Sequence, residues 1–211
     1  MIAIIDYDEG NLKSVEKAFQ ALGEEVRVTR DREEILQADG IVLPGVGAFG
    51  DAMTKLYEYC LVSVIQEAAA RDIPLIGICL GLQLFFDASE ESPGIQGLGL
   101  LPGQVKRIPG RAADGEVLKI PHMGWNSLKI DPRSRLFQGI GEDAYVYFVH
   151  SYYLQAEDER DVAASTDYGV HMHAAVEHGN LFACQFHPEK SSSVGLQILK
   201  NFIDIAHASK D

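Results

Sequence analysis

The chain has no apolar run approaching the roughly 18 residues of a membrane span, so no segment reads as a transmembrane helix. It has only three cysteines, Cys60, Cys79 and Cys184, an odd number without paired spacing. That argues against a disulfide framework and fits a reducing cytoplasm. It lacks a basic surplus: 18 Lys and Arg stand against 31 Asp and Glu, a formal net charge of −13. A diffuse positive field for nucleic acid is therefore excluded. Its start, Met1-Ile2-Ala3-Ile4-Ile5-Asp6, has no basic region and reads as a first buried strand, not a signal peptide. No internal repeat, low-complexity tract or linker divides it. One domain over residues 1–211 is expected, long enough to bury a substantial core.

What is present alternates. Ile2 to Ile5 is a strand candidate, followed by Leu12, Val15, Phe19 and Leu22 at helical spacing, with Gly23 at the C-terminal cap. Val26 to Thr29, Ile41 to Leu43 and Pro74 to Ile78 predict further strands; Arg32 to Gln37 and Leu61 to Arg71 predict helices. This order implies an α/β fold, an open, mostly parallel twisted sheet with helices on both faces. The second half is richer in glycine and short alternating runs. Tyr145 to Val149 and Val162 to Ser165 predict strands, Ala174 to Glu177 and Leu181 to Phe186 a hairpin, and Val194 to Ile205 a closing helix. Extra antiparallel strands are thus expected there.

The chemistry centres on Gly77-Ile78-Cys79-Leu80-Gly81, which sets a cysteine between two glycines at a strand end with a helix following. Tiny neighbours permit the sharp turn that presents a nucleophile, and a helix N-terminus favours thiolate. The second segment is Gln185-Phe186-His187-Pro188-Glu189. In an extended chain His187 and Glu189 share a face, so the carboxylate can orient the imidazole. Cys79, His187 and Glu189 make a nucleophile, base and orienter set. Cys60 has no such setting, and Cys184, alternating with Phe182 and Phe186, suits core packing. His150 lacks an adjacent carboxylate and fits a substrate wall or the core. His171 and His173 have a metal-like spacing but no evident third ligand. Gly45-Val46-Gly47-Ala48-Phe49-Gly50 fits a dinucleotide fingerprint. However, it does not lie in the first βαβ unit, whose turn, Asp6-Tyr7-Asp8-Glu9-Gly10, is too acidic for a pyrophosphate. Oxyanion-hole N–H groups from Val46 and Gly47 are the better account.

Gly-Ile-Cys-Leu-Gly-Leu-Gln together with Phe-His-Pro-Glu-Lys-Ser resembles the class I (triad) glutamine amidotransferases. Pro44 to Phe49, Pro121-His122-Met123-Gly124-Trp125-Asn126 and Tyr147 to Tyr152 are similar to the glutaminase subunit of imidazole glycerol phosphate synthase. The resemblance covers nearly the whole chain. It implies attack of Cys79 on L-glutamine, an oxyanion hole completed by the Leu80 N–H, and a glutamine pocket formed by Gly47, Gln83, Glu91, Ser151 and Tyr152. Glu90, beside Glu91, is the alternative at that position. It also implies no cofactor or metal, and a heterodimer with a (β/α)8-barrel cyclase subunit that uses the ammonia. Asn11, Trp125, Asn126 and Tyr147 would lie near the docking face; Trp125 in the core is the alternative. The first turn departs from the family's Tyr-Gly-x-Gly-Asn-Leu, with Asp8 replacing a glycine. Other readings are a glutaminase serving a pyridoxal phosphate or anthranilate type of synthase, a non-catalytic docking or regulatory protein of the same fold, and a cysteine peptidase.

Overall fold

In the computed structural model, residues 1–142 and 144–209 are described. The first half runs β1 (Ile2–Ile5), α1 (Leu12–Ala21), β2 (Val26–Thr29), α2 (Arg32–Gln37), β3 (Gly40–Gly45), α3 (Phe49–Glu58), α4 (Leu61–Ala70), β4 (Leu75–Cys79) and α5 (Leu80–Leu84). Then come β5 (Ala88–Ser89), β6 (Gly103–Arg107), β7 (His122–Ser127), β8 (Lys129–Ile130), β9 (Tyr145–His150) and β10 (Tyr152–Ala156). The chain closes with β11 (Val162–Asp167), β12 (His171–His178), β13 (Leu181–Cys184) and α6 (Ser192–Ala208).

The main sheet has the order β2-β1-β3-β4-β13-β12-β10-β6-β5, with β11 on β12 and β8 on β11. From β2 to β13 its strands are parallel; β12, β10 and β6 continue it antiparallel. The period of two in the strands sorts the core onto both faces. Ala3, Ile5, Ile41, Leu43 and Leu75 pack with Ile35, Phe49, Met53, Leu56 and Ile65 from α2, α3 and α4. Ile2, Ile4, Val42, Ile76 and Ile78 pack with Val15, Phe19, Ile198 and Phe202 from α1 and α6. Each Val, Leu, Ile, Phe or Met side chain so buried contributes about 1.5–3 kcal/mol. Asp31 begins α2 by accepting the Glu34 N–H at 2.9 Å, the N-cap contact that satisfies an otherwise orphan donor.

The expected alternation of the first half is present, with one addition. The helix α3 is absent from the sequence expectation, although Phe49, Ala52, Met53 and Leu56 are its buried face. The glycines at 45, 47 and 50 obscure its start. In the second half β7 and β9 form a separate two-stranded antiparallel sheet, with Trp125 opposite Tyr147 and His122 opposite His150. Val146, Phe148, His150 and His122 face inward, whereas Met123, Trp125 and Tyr145 face out.

Asp8 takes the left-handed backbone (φ 67°) that a glycine adopts readily. Its carboxylate binds Arg30 at 2.8 Å and accepts from the Tyr59 hydroxyl, while Arg30 also binds Asp6 at 2.9 Å. The aspartate thus compensates for its backbone conformation by tying the first turn to β2 and α3. Among the described residues, no helix is long and apolar enough to cross a membrane.

Candidate active site

Cys79 ends β4 with φ 56° and ψ −110°, and α5 starts at the next residue. The glycines make this turn possible. A Cβ on Gly77 would stand 2.6 Å from the Gly81 carbonyl oxygen, and one on Gly81 would stand 1.9 Å from the Leu43 carbonyl oxygen. The elbow is therefore pressed against β3, whose last residue, Gly45, pairs in register with Cys79. The buried Tyr7 hydroxyl donates to the Pro44 carbonyl at 2.7 Å, holding the end of β3 just ahead of Val46 and Gly47.

His187 comes from the other side. The extended β13 stops at Cys184, and Pro188–Lys190 is a 3₁₀ turn. The sequence expectation of one extended segment is corrected here, but the two side chains still meet: His187 Nδ1 lies 2.8 Å from Glu189 Oε1, both buried. Ser191 clamps the turn. Its hydroxyl donates to the His187 carbonyl at 2.7 Å and accepts the Tyr147 N–H at 2.9 Å, while His187 N–H donates to the Tyr147 carbonyl at 2.9 Å. Burial pulls the His187 imidazole down, but the Cys79 sulfur and Glu189 more than offset it, and His187 is pushed up to about 9. The proton therefore sits on the imidazole near neutrality, beside the Cys79 sulfur.

A cleft of ≈ 420 Å³ opens over this pair. Of the sequence candidates, Val46, Gly47, Cys79, Leu80, Gln83, Glu91, Ser151, Tyr152 and His187 line it, and Glu189 backs His187. Gly47 has φ +86°, and Glu9 Oε2 comes within 3.4 Å of where its Cβ would be. That carboxylate puts a negative charge beside the Gly45–Gly50 stretch. Glu91 Oε2 accepts the Phe49 N–H at 2.8 Å, so it also caps α3, whereas Glu90 accepts the Arg107 N–H at 2.8 Å. Of the two neighbours only Glu91 lines the cleft.

The Trp125 alternative resolves toward the surface: its side chain is 52% exposed, its ring edge-on to Tyr147 at 6.2 Å. Val149, opposite Met123, lines the cleft, so the exposed face of β7 and β9 reaches the pocket rim. Asn126 is half-buried beside it. Asn11 stands apart at the start of α1, which packs on the same 188–190 turn as β9. His171 and His173 are otherwise engaged, the first with Asp167 at 2.9 Å and the second accepting the Ala156 N–H at 3.0 Å.

Sequence reasoning passed over Gln185. Its Nε2 lies 3.8 Å from Cys79 Sγ, and its Oε1 accepts from Gln83 Nε2 at 3.0 Å. It precedes His187 by two residues, the same spacing that drew attention to Glu189.

Three buried histidines set a pH profile for stability. Burial holds His122 down at about 4 and His150 at about 3, a hydrogen bond to the Tyr152 carbonyl only partly opposing it in the latter. Depressed histidines contribute stability that is complete above the unfolded value near 6.5 and lost as pH falls toward the folded values. His187, raised, contributes below about 6.5 and loses this as pH climbs through about 9. Stability to urea is expected to peak near pH 6.5 and to drop by about 2 kcal/mol per depressed histidine by pH 5. A flat denaturation midpoint from pH 7 to 5 would contradict this.

The Glutamine amidotransferase class-I family matches residues 3–206. The chain is 52% identical over 201 residues to the imidazole glycerol phosphate synthase subunit HisH of Moorella thermoacetica, covering 95% of this chain and 93% of that one. It is 50% identical over 210 residues to the HisH subunit of Bacillus cereus, covering 100% and 97%. Among solved structures, a glutamine amidotransferase superposes with a TM-score of 0.76 at 19% identity, over 98% of this chain and 100% of that one. The glutaminase domain of Trypanosoma brucei CTPS, with bound acivicin, gives 0.69 at 23%, over 100% and 94%. These two likenesses concern the fold. On the family match and the near full-length identity, the chain belongs to the class-I glutamine amidotransferases and, within them, to the HisH subunits of imidazole glycerol phosphate synthase.

Proposed function

We propose that the chain works as one glutaminase domain, cleaving L-glutamine through Cys79 and passing ammonia to a cyclase subunit. The observation that carries this is the convergence of Cys79, His187 and Glu189 at a cleft ringed by the glutamine-pocket candidates. Cys79 Sγ attacks the side-chain amide carbon. The oxyanion is held by the Leu80 N–H and an N–H from the Val46–Gly47 stretch. Glu189 fixes Nδ1 of His187, leaving Nε2 to give its proton to the departing nitrogen. The C–N bond breaks, ammonia leaves and a thioester remains. His187 then takes a proton from water, which attacks the thioester; the C–S bond breaks, and glutamate and the thiol are released. Gln83, Glu91, Ser151 and Tyr152 hold the amino-acid end.

The partner is a (β/α)8-barrel cyclase, docked on the face bearing Trp125 and Tyr147, with Asn126 at its border and Asn11 at its far end. An exposed aromatic pair at a pocket rim is the kind of anchor that protein interfaces use. The barrel would convert a phosphoribosyl intermediate to imidazole glycerol phosphate and aminoimidazole carboxamide ribotide, in the cytoplasm. The test is glutamate release with and without the cyclase and its ligand. Weak turnover alone and strong turnover together are expected. Equal rates would refute partner control, and no glutamate in either would refute the glutaminase. Trp125→Ala should weaken docking by roughly 30-fold, read by titrating the cyclase; unchanged affinity would move the interface elsewhere.

A further inference from the structure

A histidine pair runs into the cleft wall, where His150 is itself a lining residue. His122 on β7 and His150 on β9 are buried and opposed in register, with His122 Nδ1 2.9 Å from His150 Nε2. The His122 ring is stacked between Phe148, at 4.8 Å, and Tyr168, at 4.1 Å, so its plane is fixed. His150 Nδ1 lies 2.8 Å from the Tyr152 carbonyl, and His122 Nε2 lies 3.3 Å from Asn126 Nδ2.

The partners dictate where each proton is. A carbonyl only accepts, so His150 must carry hydrogen on Nδ1. Two touching, buried rings favour neutral imidazoles, which leaves His150 Nε2 bare and accepting. His122 must then donate from Nδ1, and its own Nε2 accepts from the Asn126 amide. That amide cannot turn over, because its oxygen already accepts the Ser127 N–H at 2.9 Å and its nitrogen also donates to the Asp167 carbonyl at 3.1 Å. At the other end the Tyr152 carbonyl also accepts from Gln83 Nε2 at 3.2 Å, and Gln83 leads through Gln185 to Cys79. From Asn126 to the Tyr152 carbonyl every donor points the same way, and Gln83 donates to that carbonyl from the other side.

We propose that His122 and His150 are positioning residues for the glutamine pocket, a one-way hydrogen-bond relay from Asn126 that fixes the Tyr152 carbonyl and with it the Ser151–Tyr152 wall against Gln83. The inference rests on the glutaminase reading for its kinetic consequence, but not for the proton positions. Because Asn126 borders the exposed face of β7, displacing it reaches the pocket without moving the triad.

Two readouts test the relay. Imidazole 15N NMR of the full chain at pH 7 should show His122 and His150 both protonated at Nδ1 and bare at Nε2; hydrogen on Nε2 of either ring would overturn the proposal. In the assembled synthase, His122→Phe keeps the stack and cuts the relay. It should raise the glutamine KM about tenfold, the value of one lost hydrogen bond, with kcat within about threefold. His122→Asn keeps a donor near Nδ1 and should bring KM back to within about threefold. An unchanged KM in His122→Phe, an equal rise in both variants, or a loss confined to kcat would each overturn it. If His122→Phe does not fold, the NMR result decides alone. Wild-type synthase without glutaminase activity would refute the glutaminase reading and leave the proton positions standing on their own measurement.

Discussion

Cys79→Ala is expected to lower glutamine hydrolysis by roughly 10⁴- to 10⁶-fold, the loss that follows removal of a nucleophile from a triad. The fold should survive. Alanine meets the strained backbone at φ 56° no worse than cysteine does, and the site loses only a sulfur that lines an open cleft. Assaying glutamate release beside a thermal melt separates the two effects. Folded protein with retained turnover would sink the thioester mechanism. The exposed Cys60 and the wholly buried Cys184, whose thiol is pushed up by burial, provide the controls. Replacing Cys60 should leave the rate unchanged, because it is far in sequence and exposure from the cleft lining.

Gly81→Ala carries a large expected cost in stability. Helix propensity alone favours alanine over glycine by about 1 kcal/mol. Gly81 lies in α5, so propensity predicts a stabilised variant. Contact reverses the sign: the added carbon would stand 1.9 Å from the Leu43 carbonyl oxygen, a backbone atom of a central strand. Relief requires pushing α5 from β3 or opening the ladder that joins β3 to β4. A loss of about 3–5 kcal/mol is expected, measured as a shift in urea midpoint, with activity falling as the elbow moves away from the oxyanion stretch. A variant as stable as the parent would show that the approach of α5 to β3 is looser than described.

The convergence of Cys79, His187 and Glu189 was legible because its signals are local. Gly77 and Gly81 flank Cys79 within five residues, and Glu189 follows His187 by two. Gln185 obeyed the same spacing and went unmarked because an amide carries no chemical alarm. The parallel half of the sheet was legible because apolar runs and helical spacings alternate there. The pairing of β7 with β9 was not, since it joins residues about twenty positions apart and no local pattern names the partner. Trp125 shows the limit most clearly. Alternation along β7 sorts its residues onto two faces, but only the packing of Phe148 and His150 beneath the ladder decides which face is wet. Asp8 is a departure visible in the sequence, yet the reason it is tolerated, Arg30 and Tyr59, comes from the residues that follow β2 and α3.

The pairing of Gly45 with Cys79 has a wider meaning. The proposed nucleophile and oxyanion stretch leave the ends of adjacent parallel strands, so the gap between them is set by the ladder spacing of about 4.8 Å. A ruler made of main-chain hydrogen bonds is indifferent to most side chains. Helices on either face can exchange residues freely while the reacting atoms keep their separation. What evolution can alter cheaply in this architecture is access and timing, in the loops that follow the strand ends; the working distance itself is inherited with the sheet.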